Sequence, residues 1–288
     1  MGREVDKDGT EARIGMVNFI NTAPLYEIWR LTVDRPEWQV IEAPPATLNR
    51  MLADDELDIG FVSAYEYGRR PDIYRILQGL SISSTGRVGS VFLFSRRNPA
   101  DLDGKKVLLS PHSATSVALV KILLEDIYQV KPFYEIGIPP DLEGGGMDAG
   151  LEDIEAVLAI GDNALRLQEK GGYPVQLDLG KVWQDFTGSP FVFALFVVRE
   201  DFCRRSGGVV GEIQNELLRC VSEGKRDLRE ICFKVAPRIP MSEEDCYNYL
   251  LGIEHDLDDS KIGGLTRFFD FLIKKNEISP AALPLKFF

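Results

Sequence analysis

The chain has 288 residues, 44% of them hydrophobic and 27% charged, with 33 Lys and Arg against 45 Asp and Glu for a formal net charge of −12. At roughly 150 residues per domain this is about two domains of ordinary globular composition, long enough to bury a core without disulfides or metals. The acidic balance repels phosphate backbones and excludes general nucleic-acid binding, while leaving room for a small anion in a donor-rich pocket. No apolar run approaches the ~18 residues of a membrane span. The opening residues lack a secretory apolar stretch, and Asp6 stands where a myristoylation signal needs Ser or Thr. These features predict a cytoplasmic protein with no membrane partner. Cys203, Cys220, Cys232 and Cys246 are spaced by 17, 12 and 14 residues, with only His112 and His255 to assist them. Metal sites use closer pairs, so reduced thiols and no metal are expected.

Strands and helices alternate from the start. Arg13–Val17 reads as a strand, Ala23–Leu31 as a helix with Pro24 in its first turn, and Gln39–Glu42 as a short strand. Ala46–Asp54 has Leu48, Met51 and Leu52 on one helical face, Asp58–Val62 is a third strand, and Ser63 opens another helix. This order argues for a parallel sheet covered by helices. Val88–Ser95, Lys105–Leu109 and Ala156–Ile160 read as strands, with a helix over Thr115–Ile127 and another opening at Gly161. Gly144–Gly146 marks a loop. Phe191–Val198 is the strongest strand, followed by helices near 209–223, 225–235, 242–252 and 261–274. The two strongest strands bracket the middle block as crossovers between two lobes would. The expected division is 1–95 with 198–288 as a discontinuous first lobe that includes the helical tail, and 96–197 as the second. A small ligand would bind in the cleft between them. The tail is also a candidate homodimer surface.

Several motifs follow strand ends, where open α/β sheets bind ligands. Asn21, in Asn21-Thr22-Ala23-Pro24-Leu25, can offer its amide to a ligand or cap a helix. Ser63 and Glu66 have capping-box spacing, and Ser63 can also face a carboxylate. The stretch Ser83 to Ser90 is hydroxyl-rich and leads into the first crossover, where Ser84 and Ser90 can hydrogen-bond a ligand. No nucleophile elbow is present. His112-Ser113-Ala114-Thr115-Ser116 joins a strand to a helix, and its hydroxyls and amides suit an anion or simple capping, with His112 a candidate general base. Gly161 and Asp162 begin the next helix, and Thr187 and Gly188 precede the second crossover. The stripe Phe268, Phe269, Phe271 and Leu272 reads as core. With no Gly-x-Gly-x-x-Gly, phosphate loop or His-Glu-x-x-His, nothing calls for a nucleotide, a metal or another cofactor.

Taken together the motifs resemble a known family. Gly15-x-Val17 with Asn21-x-x-Pro24-Leu25, Asp58-Ile59-Gly60-x-Val62-Ser63-x-x-Glu66-Tyr67, and Ser83-Ser84-x-Gly86-x-Val88-x-Ser90-Val91 are similar to the MqnA family of menaquinone biosynthesis. So are Ser113-x-Thr115-Ser116-Val117-x-Leu119, Ile160-Gly161-Asp162-x-Ala164-Leu165-Arg166, and Trp183-x-x-x-Thr187-Gly188-x-Pro190-Phe191-Val192-Phe193-Ala194. Six motifs run in register from about residue 13 to 199; the tail adds only its helical character. Thr85 departs from the pattern, where Asp is common.

The resemblance implies an α/β fold of the type 2 periplasmic-binding-protein kind. It also implies a chorismate dehydratase of the futalosine route, a hydro-lyase yielding 3-[(1-carboxyvinyl)oxy]benzoate. It points to Asn21 and Ser90 as catalytic, with Ser84 as the alternative to Ser90. Ser63, Ser113, Thr115, Ser116, Gly161, Asp162, Thr187 and Gly188 are the expected substrate contacts. For the proton acceptor three choices stand open: His112, Glu66, or the substrate's own enolpyruvyl carboxylate. A non-catalytic carboxylate-binding protein, the sister enzyme that releases 1,4-dihydroxy-6-naphthoate, and a regulator's effector domain are the competing readings. The missing signal peptide opposes the first, the Asn21 and Gly161 motifs the second, and the absence of a DNA-binding module before residue 13 the third.

Overall fold

The computed structural model describes residues 11–139, 153–239 and 241–288. The Gly144–Gly146 loop lies outside them. The chain begins β1 (Ala12–Met16), α1 (Ala23–Thr32), β2 (Trp38–Glu42), α2 (Pro45–Ala53), β3 (Ile59–Ser63), α3 (Ala64–Arg69) and β4 (Tyr74–Ser84). The middle block is β5 (Val91–Ser95), β6 (Lys106–Leu109), α4 (Ala114–Ile122), β7 (Phe133–Ile136), β8 (Ile154–Ile160), α5 (Gly161–Lys170), β9 (Val175–Asp178) and α6 (Leu179–Thr187). Then come β10 (Phe191–Arg199), α7 (Glu200–Arg226), α8 (Leu228–Val235), α9 (Glu243–Gly252) and α10 (Asp259–Lys274).

Among the described residues two five-stranded sheets form, in the orders β2-β1-β3-β10-β4 and β7-β6-β8-β5-β9. In the first, β1, β2 and β3 are parallel, as the alternating pattern predicts, and β10 enters antiparallel between β3 and β4. In the second, β6 runs parallel to β7 and β8, while β5 lies antiparallel between β8 and β9. β3 and β5 are buried throughout and β10 almost so, which explains their unbroken apolar runs: strands covered on both faces have no polar side to alternate with.

Sheet membership shifts the expected lobe boundaries. Val91–Ser95 pairs in the second sheet and Phe191–Arg199 in the first. The chain therefore passes between sheets over residues 85–90 and 188–190, ahead of the expected cuts at 95 and 197. The strongest strands are the first elements after each passage. β4, the longest strand, had no expectation, nor did β7, β9 and α6.

The tail closes over both passages. In α10, Phe268 packs on Trp183 of α6 and Phe191 of β10, with ring centroids 6.2 and 5.0 Å away. The expected core stripe is thus core, except that Phe271 is only partly buried. All four cysteines are free. Among the described residues no helix is long and apolar enough to cross a membrane.

Gly264 marks how closely α10 approaches the second passage: an added Cβ would stand 2.1 Å from the Pro190 carbonyl oxygen, whereas at the exposed Gly263 it would meet nothing within 4 Å. Gly264→Ala is expected to cost about 3 kcal/mol through overpacking. Gly263→Ala is expected to add about 1 kcal/mol through helix propensity. Urea unfolding of the two variants should show these opposite signs.

Candidate active site

Val17 to Thr22 form the turn between β1 and α1. Thr22 braces it, donating its hydroxyl to the carbonyls of Val17 and Phe19 at 2.6 and 2.8 Å. Asn21 sits in this turn and caps neither adjoining helix. Its side-chain Oδ1 is buried and has no partner among the described residues. A buried acceptor left open in this way points to a ligand. The Asn21 main-chain oxygen accepts a 2.8 Å hydrogen bond from His255 Nε2.

Asn21 lines a cavity between the two sheets, together with Ser63, Ser90, Ser113, Ser116 and Gly161. Six expected site residues thus converge from five separate chain segments. Apolar walls come from Phe19, Phe61, Val88, Ile160 and Phe193. None of the lining residues has an acidic, basic, thiol or phenolic side chain.

The serine hydroxyls are oriented from behind. Ser63 Oγ accepts from the Glu66 amide at 3.2 Å and from Asn49 Nδ2 at 3.3 Å, and Asn49 Oδ1 in turn takes the Ser63 amide at 3.1 Å. With both acceptor positions filled, the Ser63 proton is left for the cavity. Ser113 caps α4, accepting the Ser116 amide at 3.1 Å and donating to Ser116 Oγ at 2.9 Å. The Ser116 proton is then available at a helix N-terminus, where a carboxylate is favoured. The Ser90 carbonyl accepts the Gly161 amide at 2.7 Å. Gly161 has φ +55°, and an added Cβ would meet the Phe19 ring at 3.3 Å.

The other expected residues do different work. Ser84 Oγ donates to the Gly86 carbonyl at 3.2 Å, forming a turn, and Ser84 is not among the residues lining the cavity. Thr115 Oγ1 accepts the Tyr65 amide at 2.9 Å, tying α4 to α3 across the cleft. Asp162 Oδ1 accepts the Ile20 amide at 3.4 Å, a second tie between lobes, and burial raises its pKa. Thr187 donates to the Trp183 carbonyl at 2.8 Å and accepts the Ser189 amide at 3.1 Å, while Gly188 ends α6 in the left-handed region. Neither lines the cavity. Thr85, the departure from the family pattern, gives its amide and hydroxyl to the Glu254 carboxylate at 3.0 and 3.2 Å.

Both side-chain candidates for the base face elsewhere. Glu66 completes only half a capping box. Its carboxylate accepts from Arg70 at 2.7 Å and Tyr74 at 3.2 Å, and burial raises its pKa. His112 lines a small separate pocket with Ser110 and Asn163.

Sequence reasoning missed Asn49, Asp178, Tyr249 and His255. Asp178 is buried and receives the amides of Val88 and Gly89 at 3.1 and 2.8 Å, fixing the first passage. A larger cavity, about 590 Å³, opens beyond that passage, lined by Arg87, Glu169, Asp245 and Tyr249 among others. Its charged residues are exposed, whereas the buried hydroxyls converge on the smaller cavity, which we take as the site. Only the scarcity of histidine offered a sequence signal for any of the four.

The family model for menaquinone biosynthesis matches residues 12–274. A chorismate dehydratase of Thermus thermophilus is 30% identical over 276 residues, covering 90% of this chain and 94% of that protein. Among solved structures, a protein of Archaeoglobus fulgidus aligns with a TM-score of 0.69 at 21% identity, over 93% of this chain and 98% of that one. A Candida albicans protein with the generic periplasmic-binding-protein fold gives 0.68 at 10% identity, over 94% and 93%. The alkanesulfonate-binding protein SsuA of Xanthomonas axonopodis gives 0.67 at 14%, over 94% of each chain. The fold is therefore that of periplasmic binding proteins.

His255 is uncharged at neutral pH, because burial pushes its pKa down to about 4. The unfolded chain takes up this proton near the ordinary value of about 6.5. Stability present above pH 6.5 is thus lost as the pH falls towards 4, by roughly 3 kcal/mol. Urea unfolding at pH 7 and pH 4.5 should show this share of acid destabilisation in the parent and not in His255→Gln.

Proposed function

The chain belongs to the menaquinone-biosynthesis family, and on that premise we propose that it removes water from chorismate, giving 3-[(1-carboxyvinyl)oxy]benzoate at the entry to the futalosine route. The observation that carries the reading is a cavity that offers hydrogen bonds and no ionisable side chain. Chorismate is a dianion whose ring becomes aromatic on losing water. Such a substrate needs aim and charge dispersal more than a strong acid or base.

In this reading the α4 N-terminus and Ser116 hold one carboxylate and Ser63 the other. Asn21 and Ser90 orient the ring and its hydroxyl. The enolpyruvyl carboxylate takes the proton from the ring carbon that bears its own ether. The electron pair delocalises through the neighbouring double bond to the ring carboxylate. Hydroxide then leaves the adjacent carbon and collects the abstracted proton, so that one water departs and the ring is aromatic. The positions of Glu66 and His112 support assigning the base to the substrate.

Purified protein mixed with chorismate should yield a product lighter by one water, read by mass spectrometry; binding without conversion would instead favour a carboxylate-binding protein. Asn21→Ala should lower kcat by about 10²–10³-fold, the size seen on removing one oriented donor, with the fold intact by thermal melting. Glu66→Gln and His112→Gln should each stay within about threefold of the parent, and a loss of about 10³-fold in either rules out the substrate as sole base.

A further inference from the structure

Two groups of the tail, the partly buried Tyr249 and the buried His255, reach the neighbourhood of the two candidate catalytic residues. The Tyr249 ring, on α9, partly faces the larger cavity. The Ser90 side chain lies close enough to the Tyr249 hydroxyl to act on it. The same ring packs against Gly89, where an added Cβ would come within 3.1 Å. Six residues on, His255 is 1% exposed and donates from Nε2 to the Asn21 carbonyl at 2.8 Å. A carbonyl can only accept, so the proton is on Nε2 and Nδ1 is a bare acceptor. Nδ1 is buried without a partner among the described residues. Leaving an imidazole acceptor unsatisfied is costly, and the contact that offsets the cost is the one to Asn21.

The segment carrying both groups is itself fixed. Glu254 and Ser83 exchange amide hydrogen bonds of 2.9 Å in each direction, and the His255 carbonyl accepts the Ser81 amide at 2.9 Å. Residues 254–255 thus extend the edge of the first sheet beside β4. Lys261 Nζ pairs with Glu254 at 2.7 Å and Asp256 at 2.9 Å. The charged groups acting on His255 are Lys225 and Asp256.

We propose that residues 249–255 form the positioning element of the active site, Tyr249 setting the Ser90 hydroxyl and His255 setting the turn that carries Asn21. This rests on the reading of Asn21 and Ser90 as active-site residues. A serine hydroxyl rotates freely unless a neighbour fixes it, and a misaimed donor loses its effect in the transition state before it loses ground-state binding. Tyr249 and His255 are positioning residues, because each acts through another.

The test is a pair of double-mutant cycles on chorismate turnover. Tyr249→Phe should lower kcat by about 10–100-fold with KM within about threefold in the parent, and change nothing further in a Ser90→Ala background. His255→Leu should behave the same way against Asn21→Ala. His255→Gln, which carries an N–H at the reach of Nε2, should recover most of the activity, and His255→Asn should not. Costs that simply add in both cycles overturn the proposal, as does full activity in Tyr249→Phe. If His255→Leu does not fold, the Gln and Asn variants decide that half. If the parent does not dehydrate chorismate, the functional reading falls. The inference is then judged on crystal structures of Tyr249→Phe and His255→Gln beside the parent. A displaced Ser90 Oγ in the first, with the Asn21 turn held in the second, supports it. An unmoved Ser90 overturns it.

Discussion

The grip of the C-terminal tail on the two passages between sheets is the constraint from which the rest of the cleft follows. At 85–90, Glu254 holds the amide and hydroxyl of Thr85, and Asp178 holds the next amides from the second lobe. At 188–190, Arg267 donates to the Thr187 carbonyl at 2.7 Å and α10 lies against Pro190. Lys261 stands behind the first grip with a side chain 5% exposed among Glu254, Asp256 and Asp258. A buried ammonium is tolerable only when paired this fully. The pairing makes the position of Glu254 depend on α10, so one helix bears on both passages.

Within that frame the cavity reverses the character of the surface. The protein carries a net charge of −12, yet the walls of the site are neutral. Its donors are oriented by acceptors already filled, as Asn49 and the Glu66 amide fill those of Ser63. Donors fixed before a ligand arrives need no reorganisation when charge develops. The acidic exterior bears on how fast an anion arrives, and the interior on what is done with it.

Much of the fold was legible in the sequence. Continuous apolar runs marked β3, β5 and β10, and the strand–helix alternation marked the parallel parts of both sheets. β4 was not legible, because Arg75, Gln78 and Gly79 interrupt it and its pairing with β10 shifts register twice. The passages were misplaced because apolar strength was taken for the crossing itself, whereas the crossings are short polar loops just before the strong strands. At the site, hydroxyl and glycine residues were found by type, but type does not separate a cavity wall from a helix end. Ser63 and Ser113 are both at once, while Thr187, Gly188 and Ser84 stand at turns and ends outside the cavity lining. The family was legible in the register of six motifs and not in any single residue. Tyr249 and His255 lie in no motif, and only tertiary contact reveals them.

The two passages are held by different sets of contacts. At the second, hydrogen bonds from Arg267 to the Thr187 carbonyl and from Trp183 Nε1 to the Pro190 carbonyl are joined by aromatic packing: Trp183 meets Phe191 and Phe268 at ring-centroid distances of 5.2 and 6.2 Å. Aromatic contacts set separation well and allow a range of angles. The first is fixed by hydrogen bonds donated to the carboxylates of Asp178 and Glu254, which weaken steeply when misaligned. Ser90 and Val88, which line the cavity, stand on the first, whereas the second contributes lining residues only downstream, at Phe193 and Ala194. Hydrogen bonds thus hold both passages, and aromatic packing is added at the second, whose residues 188–190 do not line the cavity.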